Sequence, residues 1–270
     1  MFVQSSVPAN VDRIAALVLL ALCLLFASQC VNFSIPPFED AAILMRYAVH
    51  LAAGQGIVWN PGDTPVDGAT DFLFMVLAAG LQATGLSIEY AVRSLSIAAH
   101  VGTVLLIFFG MRRVQGAGVI PAFLTAMYFA VGPGFFLAAA YFGTPLFVFF
   151  VALSWLLAQQ LFITEKLSKG NDYLFALACL LAALVRPEGV LLGIFMLCGV
   201  RVMVPASGFR KLLQIFSLVF VCLGGAYFFW HWHYFGHPLP NPYYKKGAWQ
   251  LYPGSLKDSV LVGMHLLYPV

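Results

Sequence analysis

Charge is what this sequence has least of: 9% of its 270 residues are Asp, Glu, Lys or Arg, against roughly 25% in a soluble domain. With 61% hydrophobic residues, that shortage excludes a globular cytosolic protein and leaves a multi-span membrane protein. Basic clusters with interleaved aromatics are missing as well, so the formal net charge of +3 makes no case for a nucleic-acid partner. The five cysteines, Cys23, Cys30, Cys179, Cys198 and Cys222, lie in apolar runs without ligand spacing and read as small buried hydrophobes. The histidines are scattered, and "HWH" at 231–233 is too little for a metal site. A cleavable leader is not expected either. Arg13 and the apolar run 14–27 imitate one, but Gln29 precedes Cys30 where a small residue is needed, so the first span reads as an uncleaved anchor.

What is present is a series of apolar runs. A span needs about 20 such residues, and cytoplasmic loops collect Lys and Arg. The runs 14–31, 88–110, 119–131, 144–163, 173–185, 188–204 and 211–232 give an all-α, polytopic bundle of about seven spans. The run 72–84 is too short to cross comfortably and reads as a helix in the interface. Residues 32–87 form a long outer first loop with juxtamembrane helices, and 233–254 form a second outer loop. With the N-terminus inside, eight basic residues face three acidic ones on the cytoplasmic side, and six face eight outside, as the positive-inside rule requires. Ser255 to Val270 begins another helix, and its end "HLLYPV" has no polar terminator, so either a truncated chain or a final interfacial helix is expected.

Polar residues concentrate in the outer loops. In "PPFEDAAILMRYAVHLAAG" the prolines stiffen the entry to a short helix, Asp40 stands at its N-cap and Gly54 ends it. Glu39, Ile43, Arg46 and His50 share one face, and Asp40, Leu44, Tyr47 and Leu51 another. Two readings stand: Asp40 only caps a helix, or the Glu39-Asp40 pair forms an electrostatic site suited to proton abstraction. "ALVRPEGVLL" sets Arg186 and Glu188 either in a plain hairpin turn or beside a water-filled cavity. The loop "HYFGHPLPNPYYKKGAWQ" is either an aromatic belt with snorkelling lysines or a dock for an anionic lipid headgroup.

Taken in order, "EDAAILMRYAVHLAAGQGIVWNPGD", "DGATDFLF", "FGTPLF", "VRPEG" and "YFGHPLPNPYYKK" resemble the membrane GT-C glycosyltransferases. The likeness is nearest to the terminal arabinofuranosyltransferases of bacterial cell-wall synthesis and covers residues 14 to 250. Glu39 stands where that family usually has Asp, and Ala42 and Ala69 replace its tyrosines. Family members are commonly longer, so a C-terminal part is expected to be missing here.

The resemblance implies transfer of a sugar from a polyprenyl-phosphate donor to a glycan or glycolipid acceptor, at the outer face of the plasma membrane and with inversion. It places the general base at Asp40 first and Glu39 second. Arg46, Arg186 and Lys246 become candidate phosphate or sugar contacts. Asn60 and Glu188 become holders of sugar hydroxyls, and Asn241 and Tyr244 accompany Lys246 in the Pro-Asn-x-x-Tyr-x-Lys pattern. The helix 72–84 is expected to shape the lipid-entry groove. No cofactor is implied; a divalent ion stays open, because acid pairs near such donors sometimes hold one. The competing classes are a lipid or glycan transporter or flippase, which would favour charges inside the spans and repeat symmetry, and an inactive fragment or assembly subunit.

Overall fold

The computed structural model describes residues 9–31, 37–132, 134–163, 170–203, 206–241, 244 and 261. Within them every element is helical: α1 (Ala9–Cys30), α2 (Glu39–Ala52), α3 (Phe72–Ala83), α4 (Ile88–Phe109), α5 (Val119–Val131), α6 (Phe135–Ala139), α7 (Thr144–Ile163), α8 (Asn171–Val185), α9 (Glu188–Met203), α10 (Ala206–Val219) and α11 (Gly225–Phe235). π-helical turns, Gly110–Val114 and Phe220–Gly224, extend α4 and join α10 to α11. Prolines inside helices fall in first turns, Pro121 in α5 and Pro145 in α7, where a missing amide costs no ladder bond.

Four helices are long and apolar enough to cross a membrane: Asn10–Cys30, Ile88–Val114, Thr144–Leu161 and Gly208–Phe235. Three other expected spans, α5, α8 and α9, are 13, 15 and 16 residues long. At about 1.5 Å per residue each falls short of a core of roughly 30 Å. Of the expected helix beginning at Ser255, Leu261 alone is among the described residues, and it is helical.

Side chains that water would reject cover the outside of the bundle. Leu17 and Leu25 of α1, Phe195 of α9 and Val221 are all more than half exposed, as helices long and apolar enough to cross a membrane would have them. Inside, α5 offers Ala122, Ala126 and Ala130, spaced four apart and fully buried, to α1 and α4 around Leu19 and Phe108. Small side chains let backbones approach closely, the main source of helix attraction where lipid is as apolar as leucine. A second cluster joins α7 to α10 through Phe175, Val200, Leu212 and Phe216. A third gathers α2, α3 and α4 around Tyr47, Phe74, Met75 and Val92. The helix α3 is therefore half sunk in protein, with Phe74 and Ala78 fully buried.

The ion pairs fall at two ends. Asp12 accepts from Arg112 Nε at 2.7 Å, with the arginine side chain 5% exposed, and Asp172 lies 3.3 Å from Lys211 Nζ. All four belong to the set that the charge count puts on one side. Arg186 and Glu188 meet at 3.1 Å at the far end of α8 from Asp172, among the acids of the first loop. Arg112→Met is expected to cost about 3 kcal/mol, since it strips a mostly buried carboxylate of its partner. Thermal unfolding in detergent reads this, and Asp12→Asn in the same chain should return part of the loss.

Candidate functional site

The helix α2 divides its two acids. The chain enters it through Phe38, whose extended backbone (φ −60°, ψ 154°) starts the helix without a side-chain cap. Asp40 is thus not the N-cap expected from sequence; it is the second helical residue. Both carboxylates sit in the first turn, where the helix dipole favours negative charge. One residue on, the helix has turned about 100°, and the pair parts: Asp40 lines one cavity and Glu39 a different, open trough.

The cavity of Asp40 has a volume of about 170 Å³ and is walled by Ile43, Leu44, Gly68–Asp71, Phe142 and Arg186. It collects one carboxylate from α2, one from the start of α3 and a guanidinium from the α8–α9 turn. Asp71 is 6% exposed; its Oδ2 accepts from the Gly143 amide at 3.1 Å and its Oδ1 from Thr70 Oγ1 at 3.3 Å. Burial raises the Asp71 pKa above the ordinary carboxylate value, against the opposing pull of Arg186, the Gly143 amide and Thr70. A Cβ at Gly143 would lie 2.5 Å from Asp71 Oδ2, so any larger residue there would displace the carboxylate. Glu188 is exposed and hydrogen-bonded to Arg186. Partial desolvation works to raise the carboxyl, but the Arg186 bond, the Glu188 amide and the Arg186 charge together outweigh it and hold the pKa low.

Against the same wall, sharing Ala69 and Thr70, lies an apolar cavity of about 270 Å³. Phe72, Leu180, Leu184, Val190, Phe220 and Tyr227 line it. Phe72 packs on Tyr227 at 4.8 Å between ring centres and on Trp230 at 5.5 Å, so the first residue of α3 forms part of this cavity's wall. Its polar edge is a pair: His231 Nε2 donates to Asp67 Oδ2 at 2.8 Å, with side chains 6% and 12% exposed. The Asn241 amide donates to Asp67 O at 3.1 Å, and Tyr234 Oη accepts from Ile57 N at 2.9 Å. Three bonds therefore strap the end of α11 and the segment after it to the first loop.

The other expected residues are placed differently. Arg46 donates through Nε to Trp59 O and through Nη2 to Asn60 Oδ1, both at 2.7 Å, and its guanidinium lies 4.4 Å from the Trp59 ring centre. Asn60 passes the chain of bonds to Asp63 at 2.8 Å. Arg46 and Asn60 thus stitch the turn 57–63 to α2, on the Glu39 side. Asn241 meets Asp67 by its backbone, and Tyr244 rests against His237 at 5.8 Å between rings; neither lines a cavity described here. Lys246 lies outside the described residues. Sequence reasoning overlooked Asp71, Gly143, Asp67 and His231 as site residues; the acid-rich "DGATDF" was the available signal for the two aspartates. Among the described residues, no three His, Cys, Asp or Glu side chains come close enough to hold a metal ion.

The hairpin that carries Arg186 depends on Gly189, where a Cβ would fall 2.5 Å from backbone atoms of Ala182 and Ala183. Gly189→Ala is expected to pry α8 from α9 at a cost of about 2 kcal/mol. A lower unfolding temperature in detergent would show it.

No family model, curated protein or solved structure matches the chain.

Proposed function

We propose that the chain is a glycosyltransferase of the GT-C type, moving a sugar from a polyprenyl-phosphate donor to a cell-envelope acceptor on the outer side of the plasma membrane. The observation that carries the reading is the shared Ala69–Thr70 wall, with two carboxylates and an arginine on one side and an apolar cavity on the other. A lipid-linked sugar has that same division, a polar reacting end on an apolar tail.

In this reading Asp40 takes the proton of an acceptor hydroxyl. The oxygen forms its bond to the anomeric carbon from the face opposite the phosphate. The carbon–phosphate oxygen bond breaks with both electrons leaving on the phosphate, so configuration inverts. Arg186 meets the charge that grows there, an electrostatic role best served by a group already held in place. Glu188 supplies that hold. Asp71 forms the rear wall, and Phe72 with Tyr227 guides the first prenyl units.

The test is transfer from a panel of labelled polyprenyl-phosphate sugars in membranes containing this chain, with Asp40→Asn as control. Donor-dependent turnover that the variant loses supports the reading. Saturable donor binding without turnover, in the presence of a full acceptor panel, would replace it with lipid transport. Orientation is tested separately. A cysteine at the exposed Thr64, in a background without native cysteines, should react with an impermeant thiol reagent outside intact cells.

A further inference from the structure

We propose that Arg93 is a positioning residue of the site: it acts through Tyr141 to fix the turn 141–143 and so to keep the Gly143 amide on Asp71. Arg93 is 2% exposed, and its guanidinium carbon lies 4.0 Å from the centre of the Tyr141 ring. A desolvated guanidinium over an aromatic face is the strong form of the cation–π interaction. Tyr141 needs such a hold. With φ of +64° it is the only non-glycine among the described residues with positive φ, a region where the Cβ of an L-residue crowds the following carbonyl.

The next links follow in single-residue steps. Ser96, one helical turn beyond Arg93, donates Oγ to Phe142 O at 3.3 Å, and Phe142 walls the Asp40 cavity. Gly143 then gives its amide to Asp71 Oδ2 at 3.1 Å. Two side chains on one face of α4 thus grip two consecutive residues of a strained turn, and the third residue reaches the carboxylate. An apolar side chain would fill the Arg93 site at lower cost, so an arginine there calls for a reason beyond packing. Strained residues persist only where their surroundings over-determine them, and they gather at working sites.

The charged and titratable groups around the two ends are few. Glu89 and Tyr90 lie within electrostatic range of Arg93 on its own helix. Arg186 and Glu188 lie within range of Asp71, and Asp40 shares its cavity.

The inference rests on the transferase reading only for what the site does; its test requires no turnover. The protonation of Asp71 is followed by the infrared carboxyl band of the full chain in detergent, identified by difference against Asp71→Asn. Arg93→Met, which keeps the stem and removes the charge, is expected to move the midpoint to higher pH, because the carboxylate loses its amide donor. Adding Tyr141→Gly should bring it back, since glycine adopts positive φ without a clamp. Where turnover is measurable, Arg93→Met is expected to lower kcat about tenfold, the worth of one hydrogen bond to a charged group, with the double variant recovering it.

A merely space-filling Arg93 predicts the opposite for the second step, because glycine would enlarge the void. An unchanged Asp71 midpoint in folded Arg93→Met would overturn the proposal, and so would failure of Tyr141→Gly to restore it. If Arg93→Met does not accumulate, accumulation itself becomes the readout. Recovery in the double variant supports the clamp, and no recovery overturns it.

Discussion

Asp40→Asn should lower sugar transfer by roughly 10²–10⁴-fold, the usual worth of a general base, while the protein stays folded in the membrane. The informative partner is Glu39→Gln. The two acids are neighbours in sequence, but Glu39 opens on the trough of Arg46, Trp59 and Glu89 instead of the Asp40 cavity. Its loss should change turnover by less than about threefold, a surface effect. Both variants are assayed with one donor at saturating acceptor. Equal losses would mean that the pair acts together as an electrostatic site and that the division by α2 is irrelevant to chemistry. The reverse order, with Glu39 the more damaging, would move the reacting centre to the other side of the helix.

Asp71→Asn should give a protein that is more stable and less active. The sign follows from the raised pKa. Between the ordinary value of 3.8 and the higher native one, the native state binds more protons than the unfolded chain, so unfolding free energy falls as pH rises through that window. The contribution is fully present below the ordinary value and lost above the native one. An asparagine can still accept from the Gly143 amide and carries no buried charge, so its stability should be flat over the same interval. Unfolding temperatures of both proteins from about pH 4 upward, the lower end set by the ordinary carboxylate value, measure the difference. On the transferase proposal activity should fall at every pH, because the cavity loses the negative charge that faces Arg186. A variant that is less stable at neutral pH would mean that the ionised carboxylate is a net gain to the fold, and would remove burial as the cause of the shift.

Local order was readable from the chain and long-range order was not. The two faces of α2 were legible because a period of 3.6 residues leaves little choice: Glu39 and Arg46 share the trough, Asp40 and Leu44 share the cavity, and Ile43 borders both. The turn at Pro187–Gly189 was legible from its proline and glycine. The helix start was misjudged because Asp is a favoured cap, whereas here the extended Phe38 next to Pro37 does that work by backbone geometry alone. Asp71 was hidden because its partner lies 72 positions away, and Asp67 because His231 lies 164 away. In a loop rich in Asp, Gly and Pro, each aspartate reads as solvated until the fold shows what covers it. For the same reason Asp67, which reads as an accessible loop position, is 12% exposed and makes a poor labelling site.

The bonds from Ile57 to Tyr234 and from Asp67 to His231 and Asn241 carry a consequence for synthesis. A ribosome moving at roughly 5–20 residues per second needs on the order of ten to thirty seconds between Asp67 and Asn241. For that interval the apolar cavity beside Ala69 and Thr70 lacks its far side, which Phe220, Tyr227 and His231 supply. The apolar cavity is therefore completed late and in one step, when α11 packs against the first loop. On the transferase proposal, a nascent chain stalled before that point holds Asp40, Asp71 and Arg186 but lacks the apolar wall that would seat a prenyl chain.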